Sequence, residues 1–219
     1  MKKYELLVED TITFFGVQLF RIKALISFSG IEKGEVGGYI ASEKNLSQSG
    51  NAWVSGNAKV SGNAWVSGNA WVSGDARVYG NAKVSGDAWV YGNAKVSGDA
   101  EVYGDAEVYG NAWVYGNAWV YGDAKVSGNA EVSGDAWVYG NAEVSGNADY
   151  IVFKNTWSSG RYFTYTKSNK KWRVGCFYGD GQELIKKAYK DSKKSGDFYK
   201  AYVDFVEKLE EIENIHKEQ

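Results

Sequence analysis

The amino-acid sequence predicts a mainly β fold: a solenoid of short stacked strands, closed by an N-terminal β cap and a C-terminal α/β cap. Glycine recurs every six residues from Gly50 to Gly146, and alanine stands two places after each glycine, ending at Ala148, without insertion or deletion. Valine follows two places beyond the alanine, from Val54 to Val144. A six-residue unit cannot bury a core of its own, so each copy must stack on its neighbours. The chain therefore divides into residues 1–49 (N-terminal β cap and first coil), 50–149 (repeat solenoid) and 150–219 (C-terminal α/β cap with two helices).

The N-terminal cap begins with an alternating stretch over residues 4–27. It reads as a hairpin of Tyr4–Val8 and Ile12–Phe15, a turn near Gly16, and a return strand over Val17–Ile22. The six-residue phase extends back into this block, with Ile40 and Leu46 in register with Ala52. A solenoid end needs such a cap, because an open edge invites strand addition.

In the array, alanine and valine lie two apart, so on a strand both point inward and the residue between them points to solvent. The glycine supplies permissive backbone at the corner. The Asn or Asp beside it tolerates unusual dihedrals and bonds local backbone.

Units such as Val54-Ser-Gly-Asn-Ala-Lys59 resemble the hexapeptide of left-handed parallel β-helices, found in many acyltransferases. The resemblance implies a triangular prism with three hexads per coil of about 18 residues. Its left-handed sense comes from that resemblance alone, since parallel crossovers are otherwise right-handed. The 99 residues from Gly50 to Ala148 then make about 5.5 coils. At roughly 4.8 Å per stacked strand the shaft is about 26 Å long.

Residues 18 apart share a face. One face carries Trp53, Trp71, Trp89, Glu107, Lys125 and Glu143; the second Lys59, Arg77, Lys95, Trp113, Glu131 and Asp149; the third Trp65, Lys83, Glu101, Trp119 and Trp137. A monomer would show seven tryptophans to solvent, more than a solitary domain usually exposes. Trp53, Trp65, Trp71, Trp89, Trp119 and Trp137 are therefore expected at an oligomer interface. A homotrimer is what the hexapeptide transferases imply. The alternative for the tryptophan ladder is a surface for sugars or bases. The tyrosines after valine, from Tyr79 to Tyr139, are read as packing rather than chemistry.

Charge is uneven. Residues 50–149 hold five basic and eleven acidic side chains, a net −6, and residues 150–219 fourteen basic and ten acidic, a net +4. An acidic shaft argues against nonspecific nucleic-acid binding. The first ten residues are charged and carry no apolar leader, and no apolar run approaches the roughly 20 residues that span a bilayer. A soluble, cytoplasmic protein of a bacterial host cell is expected.

Enzyme activity is not expected. Hexapeptide acyltransferases use a histidine base and the related carbonic anhydrases bind zinc through three, whereas this chain has His216 alone, near its end. No His/Cys cluster has metal-ligand spacing, and Cys176 reads as a buried structural thiol. No cofactor is implied. The glycines serve a strict period instead of a phosphate loop. Ice-binding solenoids need threonine ladders, and residues 50–149 contain no threonine.

Beyond the array, strands are expected over Tyr150–Phe153, Arg161–Thr166 and Trp172–Phe177, then helices over Gly181–Lys193 and Asp197–Ile215 with Asp197 as N-cap. Both ends, Gly16-Val-Gln-Leu-Phe-Arg-Ile-Lys-Ala-Leu25 with Gly37-Gly-Tyr-Ile-Ala-Ser-Glu-Lys-Asn-Leu-Ser47 and Val174-Gly-Cys-Phe177 with Gly196-Asp-Phe-Tyr199, are similar to those of uncharacterised bacteriophage and prophage proteins that carry the same array.

A rigid scaffold without a catalytic set, with basic and aromatic residues together, leads to one expectation. It is a non-catalytic, phage-encoded trimer that sequesters a small anionic ligand, such as a nucleotide signal of host immunity. Candidate contacts are Arg161, Tyr165, Lys170, Lys171, Trp172 and Arg173 in the cap, or Lys59, Arg77 and Lys95 on the shaft, because arginine suits phosphate and aromatic faces suit a base. The alternatives are a structural or assembly element that binds protein and, third, an acyltransferase with an unusual base.

Overall fold

The computed structural model describes residues 2–217 and divides into two compact units, residues 1–150 and 151–219.

The first unit is a parallel β-solenoid. It opens with β1 (Tyr4–Phe14), β2 (Val17–Ala24) and β3 (Val36–Ile40), followed by sixteen short strands from Trp53–Val54 (β4) to Glu143–Val144 (β19). Partners in neighbouring coils are 18 residues apart, as in Lys59↔Arg77 and Trp119↔Trp137. The three faces carry the side chains that the spacing predicts, six strands deep on the Trp53 face and five on the Trp65 face. Every alanine and valine of the repeat from Ala52 to Val144 is at most 1 % exposed. Two small side chains per strand fill the prism, leaving no room for anything larger.

The corner shows why glycine never varies. Gly68 has φ +68°, a left-handed conformation that a side chain disfavours. A Cβ added there would also lie 2.9 Å from the backbone nitrogen of Gly86 in the next coil. The neighbouring Asn or Asp has a role beyond the local backbone. Asn51 Nδ2 donates to Asn69 Oδ1, whose own amide donates to Asp87, and Asn63 reaches Asn81 in the same way at 3.0 Å. Side-chain amides thus add a second ladder to the main-chain one, in which Trp53 N donates to Ala70 O at 3.0 Å.

Both ends depart from the register expected. Ile40 aligns with Val60 and Leu46 with Val66, so both extend the valine column rather than the alanine one. At the far end Asp149 belongs to a 3-10 turn over Asn147–Asp149 and not to a face. Ala148 is exposed there, so the last sequence repeat lies outside the coil.

The first coil presents backbone carbonyls with no coil beyond them, and three devices satisfy them. Lys3 Nζ donates to Ala52 O (2.8 Å) and Gly50 O (3.3 Å). Asn45 Nδ2 does the same for Ala64 O (2.9 Å) and Gly62 O (3.0 Å). Between them Tyr39 N donates to Ala58 O at 2.9 Å. Burial pushes the Lys3 amine down to about 8. At the last coil, Glu131 N donates to Asn147 Oδ1 and Tyr150 OH donates to Glu131 O.

The second unit is an antiparallel sheet of β20 (Tyr150–Lys154), β21 (Tyr162–Thr166), β22 (Lys171–Val174) and β23 (Phe177–Gly179), with helices α1 (Gly181–Asp191) and α2 (Lys193–Lys217). The expected strand Trp172–Phe177 is in fact a hairpin, turned at Gly175-Cys176 with Gly175 at φ +56°. Cys176 in that turn is exposed, not a buried thiol. Asp180 caps α1, accepting from Glu183 N while the Glu183 side chain accepts from Asp180 N. Asp197 is no N-cap: α2 starts at Lys193, and Asp197 accepts a hydrogen bond from Tyr189 OH of α1. Within α2, Gly196 leaves room for the Tyr189 ring, where a Cβ would come within 2.2 Å. The core is aromatic, with Phe163, Tyr165, Trp172 and Tyr199 around Leu184, Val203 and Val206.

Candidate functional site

The side chains with most chemistry form one outward column on the sheet that begins with the N-terminal hairpin. Along it stand Arg21, Tyr39, Lys59, Arg77, Lys95, Trp113 and Glu131, one per strand from β2 to Glu131–Val132 (β17). Antiparallel pairing aligns Arg21 with Tyr39, parallel pairing aligns the rest, and strands about 4.8 Å apart bring the charges close.

Arg21 is compensated by Asp10 at 3.6 Å, and its guanidinium lies over the Tyr39 ring at 4.7 Å. Lys59, Arg77 and Lys95 form no ion pair among the described residues, whereas Lys83 pairs with Glu101 (2.8 Å) and Lys125 with Glu107 (3.9 Å) elsewhere on the shaft. Lys59 Nζ donates to Asn57 O at 2.8 Å, and aromatic rings meet all three cations. The tip of the β1–β2 hairpin places Phe14 5.9 Å from Lys59 Nζ and 5.5 Å from the Arg77 guanidinium, and Lys95 stands 5.3 Å from Trp113. Phe15, at φ +48° in the hairpin turn, reaches Tyr79 at 6.3 Å. Cation–π contact softens the repulsion within the column without neutralising it. Sequence reasoning missed Phe14 and Phe15. Their alternation marked a hairpin, but nothing local says where its tip lands.

The residues proposed in the C-terminal cap are dispersed. Tyr165 and Trp172 are buried core residues on the helix side of the sheet. Tyr165 OH donates to Glu210, and burial together with that carboxylate raises the phenol well above its usual range. Lys170 stands 3.7 Å from Glu210 and Lys171 4.0 Å from Asp180. Arg173 alternates with Trp172 and so faces the other side of the sheet, and Arg161 is exposed just before β21. A groove of about 320 Å³ is lined by Tyr165, Trp172 and Lys170, together with Asp180, Glu207 and Glu210. Three carboxylates against one ammonium make it a poor host for an anion.

The expected interface tryptophans divide as well. Trp53 is fully buried, edge-on to Phe28 at 5.5 Å and Tyr4 at 6.4 Å, so the N-terminal cap, not another subunit, covers it. Trp65 and Trp89 are 52 % and 54 % exposed. Trp71 is half-buried and donates from Nε1 to Ser55 Oγ at 3.0 Å. Trp119 and Trp137 stack at 5.1 Å, beside the stacked pair Tyr103 and Tyr121 at 4.7 Å.

His216 is exposed on the last turn of α2. Among the described residues no group of three or more His, Cys, Asp or Glu is placed to hold a metal, and no helix is long and apolar enough to cross a membrane. No curated protein matches the chain. Residues 58–74, 76–92 and 106–122 match the family model described as YdcK Beta solenoid repeat, so the chain is similar to that family and is a repeat β-solenoid protein.

Proposed function

We propose that this chain is a non-catalytic binding protein that holds a small anionic ligand, nucleotide-like in chemistry, on the Lys59–Arg77–Lys95 column. One observation carries the reading: three stacked cations without carboxylate partners among the described residues, flanked by the faces of Phe14 and Trp113, on an otherwise acidic shaft. Guanidinium and ammonium groups suit phosphate oxygens, and the aromatic faces suit a base. A phage-encoded origin, a left-handed hexapeptide coil and a homotrimer belong to the same reading. They rest on the resemblance of the repeat and on the exposed tryptophans. The biological role would be sequestration of an immune signal inside the host cell.

The test is native mass spectrometry of protein freshly purified from bacteria, before and after mild denaturation. A stoichiometric anionic molecule released from an assembly is expected. Arg77→Glu with Lys95→Glu should abolish its retention; retention by that variant would overturn the assignment.

A second reading, an assembly element that binds protein, is favoured by the field of Tyr103, Trp119, Tyr121, Trp137 and Tyr139 on one side of the shaft. Such area is typical of contact surfaces. It predicts a ligand-free assembly that Trp119→Glu with Trp137→Glu dissociates.

A further inference from the structure

Trp65 differs from every other tryptophan of the chain. The remaining eight each have a ring neighbour, as Trp71 has Trp89 at 6.4 Å and Trp113 has Tyr115 at 4.5 Å. Among the described residues the Trp65 side chain has neither a ring neighbour nor a hydrogen bond, and it is 52 % exposed. The cause is a step at the start of the solenoid. The strand Trp65–Val66 is the edge of a five-stranded sheet. Beyond that edge lies a 3-10 turn, Glu43–Asn45, joined to it by the isolated bridge of Leu46 to Val66. This register sets Asn45 level with Trp65, but the Asn45 side chain is buried and spends its amide on Gly62 O and Ala64 O. The indole therefore has no stacking residue above it. The same diversion leaves the amide ladder of this corner open: Asn63 donates to Asn81, yet its own Oδ1 accepts from no described residue.

The step forms a cleft of about 710 Å³, lined among others by Glu43, Lys44, Gln48, Ser49, Asn63 and Trp65. Small-ligand sites span about 300–1,000 Å³. Its wall is already tied down: Gln48 Oε1 accepts from Lys3 N at 2.8 Å, the Ser47 and Ser49 hydroxyls bond at 3.0 Å, and Lys2 donates to Glu43 Oε1 at 2.7 Å. Left for a ligand are the indole face, Asn63 Oδ1, Glu43 Oε2 and the Lys44 ammonium, which forms no ion pair among the described residues.

We propose that this cleft binds a pyranose sugar, with one ring laid on the Trp65 indole and its hydroxyls bonded to Asn63 Oδ1, Glu43 Oε2 and Lys44 Nζ. A pyranose has an apolar C–H face and a rim of hydroxyls that both donate and accept. The cleft matches it with one aromatic face bordered by two acceptors and one donor. A phosphate would meet a lone ammonium beside a carboxylate, and a wholly apolar ligand would strand the polar groups. The site lies on a different face from the Lys59–Arg77–Lys95 column and does not depend on it.

The experiment follows the indole N–H signals of the full chain by NMR with isotope-labelled tryptophan, Trp65→Phe identifying the Trp65 signal. Cellobiose, maltose, lactose and chitobiose are each raised into the millimolar range, with adenosine monophosphate as the anionic comparison. At least one disaccharide should shift the Trp65 signal saturably, while Trp89, equally exposed on another face, stays in place. Calorimetry with that sugar should show binding lost in Trp65→Ala, weakened about two- to tenfold in Asn63→Ala, and unchanged in Trp89→Ala. Unmoved indole signals elsewhere in Trp65→Ala show that the variant is folded. No saturable shift with any of these sugars, an equal shift at Trp89, or a stronger response to the nucleotide overturns the proposal. The chain with Arg77→Glu and Lys95→Glu should keep the sugar response, so failure of the cationic column leaves this site standing; loss of the response there would overturn it.

Discussion

The two units of this chain bury opposite kinds of side chain. The repeat coils keep alanine and valine inside, with Ile40 and Leu46 at the capped end, and set most of their tryptophans and tyrosines outward, Trp53 under the cap excepted. The C-terminal unit is built around Trp172, Phe163 and Tyr165, with charged groups outside. The reason is geometric. A coil of three short strands encloses too little space for a ring, whereas a sheet covered by two helices needs large side chains to fill the gap between layers. An aromatic residue therefore means contact in one unit and core in the other.

Substitutions can break or sharpen this contrast. The largest effect is expected for Trp172→Ala, which empties the aromatic core and should cost about 3–5 kcal/mol in denaturant melts of the C-terminal unit. If the core were as tolerant as a surface, the loss would stay near zero. Gly86→Ala should cost about 2–3 kcal/mol in the solenoid, because φ is +70° and an added Cβ would meet Gly104 N at 2.8 Å. An unchanged melting profile there would contradict the close approach of the coils.

A pH titration probes the solenoid edge. Burial pushes the Lys3 amine down to about 8 in the folded chain, below the 10.5 of an exposed lysine, so between these values the unfolded chain binds more protons. Stability should rise with pH in that window, by at most about 1.4 kcal/mol per unit. Above pH 10 the trend should reverse, since burial raises the Tyr4 phenol and the unfolded chain loses that proton first. Lys3→Met should remove the rise and leave the reversal. A smaller effect, about 1 kcal/mol, is expected for Asp180→Ala at the α1 cap. Trp89→Ala, on the outward side of the shaft, should shift the monomer's own stability by no more than about 0.5 kcal/mol. A larger loss in dilute protein would mean that the solenoid tryptophans are structural.

Much of the solenoid was legible because its contacts are periodic. The inward Ala–Val pair, the corner glycine and the 18-residue register each depend on near neighbours that the repeat itself supplies. Trp53 shows where this ends. Its hexad is no different from that of Trp71, yet one is buried and the other half-exposed, and what decides is a cap that includes Phe28 and Tyr4. Phe14 lands on Arg77 for the same kind of reason, a long-range fold-back that no local pattern encodes. In the C-terminal unit most strands could be placed, although Trp172–Phe177 is a hairpin. The second helix was expected only from Asp197, whereas it starts at Lys193 and runs through Gly196. The Tyr189 ring against it accounts for a glycine at that helical position. Tyr165 and Trp172 were grouped correctly in space and wrongly in role, since alternation within a strand does not say which side a second layer covers.

The amide rungs joining Asn51 to Asn69 and Asn63 to Asn81 have a consequence for how such a chain can change length. Every amide rung and every stacked pair of inward side chains connects positions 18 apart, and the main-chain hydrogen bonds between coils repeat with the same period. Removing 18 consecutive residues from the interior would take out one coil and leave every surviving column aligned. Removing six would keep the repeat perfect in sequence yet shift each downstream residue to the next face, so the cations of one column would stand under the tryptophans of another. Length in this molecule is therefore counted in whole coils, and any ligand or partner that spans several of them is measured against that step.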